Sequence, residues 1–289
     1  GLGDAYQHRY VFEGRGPEAL QLMKDNYERA YGMDPDRAET NVGMAWVPYF
    51  DGDMDRTYAF LKKALELDPD SLHVLTDVGA FLASVGFMER SSEYFSRVIR
   101  SGGGTADMYL LRGKGFEHMG LYESALADLD KVIELAPDDA NALCHRARTL
   151  ILLRKYDAAA ADLAMAKTIE PDNLHIDVVR ALLAAARGQK KAALEAIGPV
   201  RAAGRPGRYT YYLSRIYAAL GMKNEAIANI ETAIDKGFGD VLNYLYSYPY
   251  FNNTQDYFYD KLRGEPRFVE LQRREERKFT DRLGKYDGL

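Results

Sequence analysis

Residue types recur along this chain every 34 residues, and a fixed period of that length restricts the fold before any single residue is considered. Gly79, Gly113, Ala147 and Ala181 each stand 34 positions after the last, and Gly86, Gly120, Arg154 and Gly188 keep the same interval. Ser91, Ala125, Ala159 and Ala193 form a third column, and Val98, Val132, Ala166 and Val200 a fourth. Such a period is the mark of stacked supersecondary units, each unable to bury its apolar face alone.

With each unit numbered 1 to 34, position 8 holds Gly3, Ala45, Gly79, Gly113, Ala147, Ala181 and Ser214, always a small residue. A column of that kind marks a crossing of two helices too close for a longer side chain. Position 24 holds Tyr27, Leu61, Phe95, Leu129, Leu163, Ile197 and Ile230, large apolar plugs for the space beside the crossing. The chain breaks near position 15 at Gly52, Gly86, Gly120, Gly188 and Gly221, and near position 32 at Pro35, Pro69, Pro137 and Pro171. Glycine allows the left-handed turn that ends a helix, and proline cannot continue one. Each unit therefore reads as helix, turn, helix, turn.

These columns resemble those of the tetratricopeptide repeat, and the best copies run from Tyr109 to Pro137 and from Val47 to Pro69. The resemblance implies an all-α, right-handed superhelical solenoid of about seven units over 2–35, 38–69, 72–103, 106–137, 140–171, 174–205 and 207–238. An aromatic-rich segment and a C-terminal capping helix are expected over 239–289. Three units are irregular. Unit one carries about eight extra residues around 9–16, unit three ends in Ser101-Gly102-Gly103-Gly104-Thr105 where others have proline, and unit seven arrives one residue early. The glycine run is expected to be an ordinary connector, the alternative being a loosened junction between units three and four.

Composition narrows the functional classes. The chain has 38 basic and 43 acidic residues and a net charge of −5, so it lacks the basic footprint that nucleic acid demands. Its single cysteine, Cys144, has no partner for an internal disulfide and lies among Leu143, Leu150 and Leu153, as a small apolar residue would. One cysteine does not fix the compartment. A cytoplasmic location is the first expectation, and a periplasmic one stays open because Gly1 falls almost inside a repeat helix and an upstream segment is expected. No nucleophile–base pair, metal-ligand spacing or phosphate-cradling glycine loop follows a strand, so neither an enzyme nor a cofactor or metal is expected. Acidic pairs such as Asp138 and Asp139 fall at turns between units, where helix capping is their expected duty.

What remains is binding, and a tetratricopeptide array implies a protein or peptide partner held on the concave face of the first helices. Positions 2, 5, 6, 9, 12 and 13 point there. They hold Trp46, Tyr49 and Phe50 in unit two, His73 and Asp77 in unit three, and Lys114, Glu117 and His118 in unit four. Unit five adds His145 and Arg148, unit six His175, and unit seven Arg208, Tyr211, Tyr212 and Arg215. All five histidines, His8 included, fall on these positions. Two aromatic groups, Trp46 with Tyr49 and Phe50 and Tyr211 with Tyr212, stand at opposite ends as anchors. The lysine–asparagine clamp by which some repeat proteins hold a terminal carboxylate is missing, since Val42, Gly43, Thr76, Asp77 and Leu111 occupy the matching positions. The competing expectation is a structural spacer or a homo-oligomerisation unit.

Beyond unit seven, eight aromatic residues lie between Tyr244 and Tyr259: Tyr244, Tyr246, Tyr248, Tyr250, Phe251, Tyr257, Phe258 and Tyr259. Glu265 and Pro266 then open a helix with Phe268, Leu271 and Phe279 on one face, the expected cover for the last apolar surface of a solenoid. The stretch from Leu262 to Leu271 resembles the ending of such arrays in bacterial multidomain signalling proteins. The resemblance implies a regulatory part of a larger protein, with Arg263 and Arg267 in contact with preceding units.

Overall fold

The computed structural model describes residues 16–202, 206–236, 253–286 and 288–289, and every regular element among them is helical. Helix α1 (Pro17–Met33) is the second helix of unit one. Five antiparallel pairs follow, α2 (Ala38–Phe50) with α3 (Met54–Leu67), α4 (Leu72–Ser84) with α5 (Met88–Val98), α6 (Ala106–His118) with α7 (Tyr122–Leu135), α8 (Ala140–Leu152) with α9 (Tyr156–Ile169), and α10 (Leu174–Ala186) with α11 (Lys190–Ala196). A short α12 (Gly198–Ala202) precedes the last pair, α13 (Pro206–Ala219) with α14 (Lys223–Lys236). The extra residues of unit one fall almost wholly outside the described residues, as do Gly3, His8 and the aromatic residues from Tyr244 to Phe251.

The crossings are where the period places them. A Cβ built on Gly79 would sit 2.9 Å from Phe95 Cε1, and one on Gly113 would sit 3.2 Å from Asp128 Cβ. The helices of one unit thus touch backbone to plug, and a larger residue at position 8 would push them apart. The turns follow the same logic. Gly52, Gly86, Gly120, Gly188 and Gly221 have φ between 73° and 91°, the left-handed region that glycine enters without a Cβ penalty. In unit five Arg154 takes that conformation, with φ 58°, and its guanidinium lies 4.4 Å from the centre of the Tyr257 ring. First helices carry side-chain caps: Ser71, Thr105, Asp139 and Asn173 accept hydrogen bonds from the first-turn amides of α4, α6, α8 and α10.

Two irregularities have local causes. The glycine run closes unit three as a π-helical turn, Ile99–Gly103, in which Gly102 has φ 90° and a Cβ on Gly103 would approach Val98 Cγ1 to 2.7 Å. That is a close-packed connector. In unit six the second helix breaks between α11 and α12, where Pro199 has no amide proton to give to the preceding turn. The early arrival of unit seven coincides with this break.

The C-terminal segment does more than cover unit seven. A 3-10 turn, Tyr257–Tyr259, leads to α15 (Pro266–Leu283), whose Phe268 packs on Tyr259 of that turn and whose Arg267 reaches Glu231 of the last unit at 2.8 Å. The segment then returns to units two and three. Phe279 meets the ring of Phe87 at 5.4 Å, Tyr286 packs on Tyr58 and Phe81, and Arg90 donates to the Tyr286 carbonyl at 3.1 Å. Asp55 receives both Lys285 Nζ at 2.6 Å and the Tyr286 hydroxyl at 3.0 Å. The chain is thus strapped from its last unit to its second. Arg267 contacts a preceding unit as expected, whereas Arg263 donates to the Asn253 and Asp256 carbonyls within the strap.

Candidate functional site: the concave face

Two materials line the inner face. In unit two, Trp46, Tyr49 and Phe50 stand one turn apart on α2 and pack on one another, with ring centres 4.9 Å apart for Trp46 and Tyr49 and 5.4 Å for Tyr49 and Phe50. Trp46 and Tyr49 are buried, and Phe50 is half-buried. Trp46 Nε1 donates to Asp77 Oδ1 on the neighbouring first helix at 2.6 Å, and His73 Nδ1 lies 3.6 Å from the other oxygen of that carboxylate. The anchor at this end is therefore mostly spent within the array.

Units four to seven are held by charge. Arg148 on α8 donates from Nε to Glu117 Oε2 on α6 at 2.9 Å, with the same nitrogen 2.7 Å from Oε1, and donates from Nη1 to the Tyr212 hydroxyl on α13. Thr149 adds a hydroxyl to Glu117 at 3.1 Å. Arg215 on α13 donates from Nε to Asp256 Oδ2 at 2.8 Å, its Nη2 lies 2.5 Å from the same oxygen, and its Nη1 stands 3.8 Å from Glu117 Oε1. All four charged side chains are at least 95 % buried. Two guanidinium groups and two carboxylates balance, as buried charges must. Burial works against the Arg148 charge, and Glu117 and the Tyr212 hydroxyl outweigh it, so the guanidinium is held protonated. Burial pushes the Asp256 carboxyl upward, and Arg215 opposes that shift.

The network needs first helices from units four, five and seven to meet across unit six. At the positions equivalent to Arg148 and Glu117, unit six carries Leu182 and Ala185, both buried and uncharged. The remaining candidates line the same interior: His145 and His175 have ring centres 5.7 Å apart, and the chain of rings continues to Tyr212 at 5.4 Å and Tyr211 at 5.7 Å. His118, His145, Tyr211 and Tyr212 are buried and His175 is half-buried. The side chain of Arg208 lies outside the described residues. The expectation that these positions form an open surface is corrected for Trp46, Tyr49, Glu117, His118, His145, Arg148, Tyr211, Tyr212 and Arg215, which are buried within the array. Phe50, Asp77, Lys114 and His175 are half-buried and His73 is exposed.

The strap supplies the partners that position-by-position reading of the repeats missed. Asn253 donates to the Glu117 carbonyl at 3.2 Å and to the Tyr122 hydroxyl at 3.1 Å, and Tyr259 shares a 2.8 Å hydrogen bond with Ser214. Among the described residues no group of three His, Cys, Asp or Glu side chains is placed to hold a metal ion. No helix among them is long and apolar enough to cross a membrane.

Comparison with known proteins fits this architecture. The tetratricopeptide repeat family description matches residues 106–139, which hold α6 and α7. A tetratricopeptide repeat protein from Parabacteroides merdae has a TM-score of 0.63 at 15% identity, covering 85% of this chain and 98% of that one. The Cut9–Hcn1 hetero-tetramer of the APC/C has a TM-score of 0.59 at 10% identity, covering 94% of this chain and 52% of that one. At these identities the likeness is one of fold. A curated relative, the UDP-N-acetylglucosamine–peptide N-acetylglucosaminyltransferase of Giardia intestinalis, is 27% identical over 115 residues, which are 40% of this chain and 8% of that protein's length. Residues 106–139 thus match a tetratricopeptide repeat, and the chain has the solenoid fold of tetratricopeptide repeat proteins. Proteins of this repeat family are generally non-catalytic scaffolds for protein–protein interaction, and stacked repeats create the extended surfaces such scaffolds use.

Proposed function

We propose that the chain is a non-catalytic interaction module whose partner, a peptide or an extended protein segment, docks on the half of the concave face built by units two to four. The observation that carries this reading is the split in burial. Phe50, His73, Asp77 and Lys114 keep accessible surface on the consecutive first helices α2, α4 and α6, whereas the inner residues of units five and seven are closed into the array. The four offer an aromatic ring, an imidazole, a carboxylate and an ammonium group, which suits a mixed polar and apolar peptide. The Asp77 carboxylate is already oriented by Trp46, so a ligand would meet a set geometry. The ending from Leu262 to Leu271 supports a place in a larger bacterial regulatory protein.

The test is to select peptides against the intact chain by display and to measure one of them by calorimetry. Phe50→Ala and Lys114→Glu are each expected to weaken it by about tenfold or more, the equivalent of ~1.4 kcal/mol. Met165→Ala, on an exposed residue of a second helix, serves as the control. Unchanged affinity in both groove variants rejects the docking site.

A further inference from the structure

A second site is written in a spacing of 16 residues. In unit four Arg112 on α6 stands 16 residues from Ser96 and 16 from Asp128; it donates to the Ser96 hydroxyl at 3.1 Å and grips both Asp128 oxygens, at 2.8 and 2.6 Å. In unit five Arg146 on α8 does the same, with Asp130 at 2.9 Å on one side and the two oxygens of Asp162 at 2.9 and 2.7 Å on the other. Each arginine staples its own second helix to that of the unit before. In unit six the arginine is Arg180 on α10, and both partner positions are alanine, Ala164 and Ala196. Arg180 keeps one long contact, 3.5 Å from Nη1 to Asp177 Oδ1, a carboxylate that Lys167 already holds at 3.0 Å.

Where the two acceptors are missing there is a cavity of about 600 Å³ between α9, α10 and α11. Ala164 and Ala196 line it, Leu163 and Leu183 give it an apolar wall, and three cationic side chains, Lys167, Arg180 and Arg187, border it. No carboxylate is among its lining residues. Arg187 pairs with Asp157, whose side chain is fully exposed outside the cavity. A volume of this size falls within the ~300–1,000 Å³ typical of small-molecule sites.

We propose that this cavity binds a carboxylate carried on a short apolar stem, and that Arg180 grips it in the two-pronged geometry by which Arg112 and Arg146 grip Asp128 and Asp162. The ligand's carboxylate takes the place of the absent position-23 aspartate, and its stem lies in the space vacated by the alanines. A planar guanidinium matches a carboxylate through two parallel N–H···O bonds, which a lone ammonium cannot reproduce. The two sources of such a group are a free small acid and the acidic side chain of a bound peptide. The site lies between second and first helices of adjacent units, apart from the concave face, so it stands or falls independently of the docking surface above.

The test titrates the intact chain with glutarate, hexanoate, benzoate and acetyl-Ala-Glu-Ala-amide, with hexanol as the uncharged control. Thermal midpoint and the Arg180 Nε–H resonance are the readouts. A saturable shift with at least one carboxylate and none with hexanol is expected. Ala196→Asp restores the repeat's own acceptor, should fold because units four and five carry it, and is expected to weaken binding at least tenfold; Arg180→Gln should do the same. A response to free acids assigns a small-molecule ligand, and a response to the peptide alone assigns an acidic side chain. Silence with all four carboxylates, an equal response to hexanol, or undiminished binding in Ala196→Asp overturns the proposal.

Discussion

Where the first helices of units two and three meet, the inner face is a set of rings; where those of units four, five and seven meet, it is a set of paired charges. The aromatic half is built from neighbours. Trp46, Tyr49 and Phe50 share one helix, and Trp46 reaches Asp77 on the next first helix. The charged half depends on distance, because Arg215 finds its carboxylate in the strap and Asn253 reaches Glu117 across 136 residues of sequence. Solenoid stability is usually a sum of unit and nearest-neighbour terms. The inner face of the first half obeys that rule, with the strap reaching units two and three only at residues outside that face such as Asp55, Tyr58 and Phe87, whereas in the second half the strap enters the inner network itself.

The strongest way to break this contrast is Asp256→Ala. It leaves Arg215 buried with Glu117 as its nearest carboxylate, 3.8 Å away and already engaged by Arg148. Removing one partner of a buried ion pair costs ~3 to 5 kcal/mol. Trp46 is the only tryptophan, so its fluorescence reports the aromatic half while far-ultraviolet circular dichroism reports all helices. The dichroism midpoint in urea is expected to fall clearly further than the fluorescence midpoint. Equal displacement of the two would mean that the halves unfold as one unit and that the distinction has no energetic content.

A smaller effect is expected from Gly113→Leu, at the crossing of α6 and α7. Even a Cβ there stands 3.2 Å from Asp128 Cβ, on the side chain that Arg112 grips, so a leucine both overpacks the crossing and displaces the staple. The expected cost is ~1 to 3 kcal/mol. Calorimetric unfolding measures it, and an unchanged midpoint would show that the crossing is not where the period puts it.

The crossings were legible in the sequence because they depend on local spacing alone: Gly79 needs only Phe95, 16 residues away in the same unit. The burial of Glu117, Arg148 and Arg215 was not legible for a physical reason. It depends on the winding of the whole array, a sum of small rotations, and on Asp256 in a segment that shares no period with the repeats. A signal was present all the same. Opposite charges at positions 9 and 12 of units four, five and seven, with the uncharged Leu182 and Ala185 at those positions of unit six, were read as a binding surface and equally described a closed interior. The arginine spacing of 16 residues was also readable, and its failure at Ala164 and Ala196 becomes informative only once Arg112 and Arg146 are seen to be paired.

An effect that is absent at neutral pH reads the interior of the charged half directly. Cys144 on α8 is fully buried, and burial pushes its thiol up to about 12 from a usual value of 9.0, with Arg148 opposing the shift. A raised folded value means that the native state keeps a proton which the unfolded chain has lost. The contribution is therefore fully present below pH 9.0 and is lost as pH rises toward about 12. In that window the slope is at most ~1.4 kcal/mol per pH unit. Native protein is expected to lose stability there faster than Cys144→Ala, with the other titrating groups cancelling in the difference. At pH 8 a thiol reagent should reach Cys144 only through opening of units five and six. Labelling that outpaces the unfolding seen by Trp46 supports separate opening of the charged half. Labelling that keeps step with Trp46 means that one transition governs both, and the strap then couples the whole array rather than its last units.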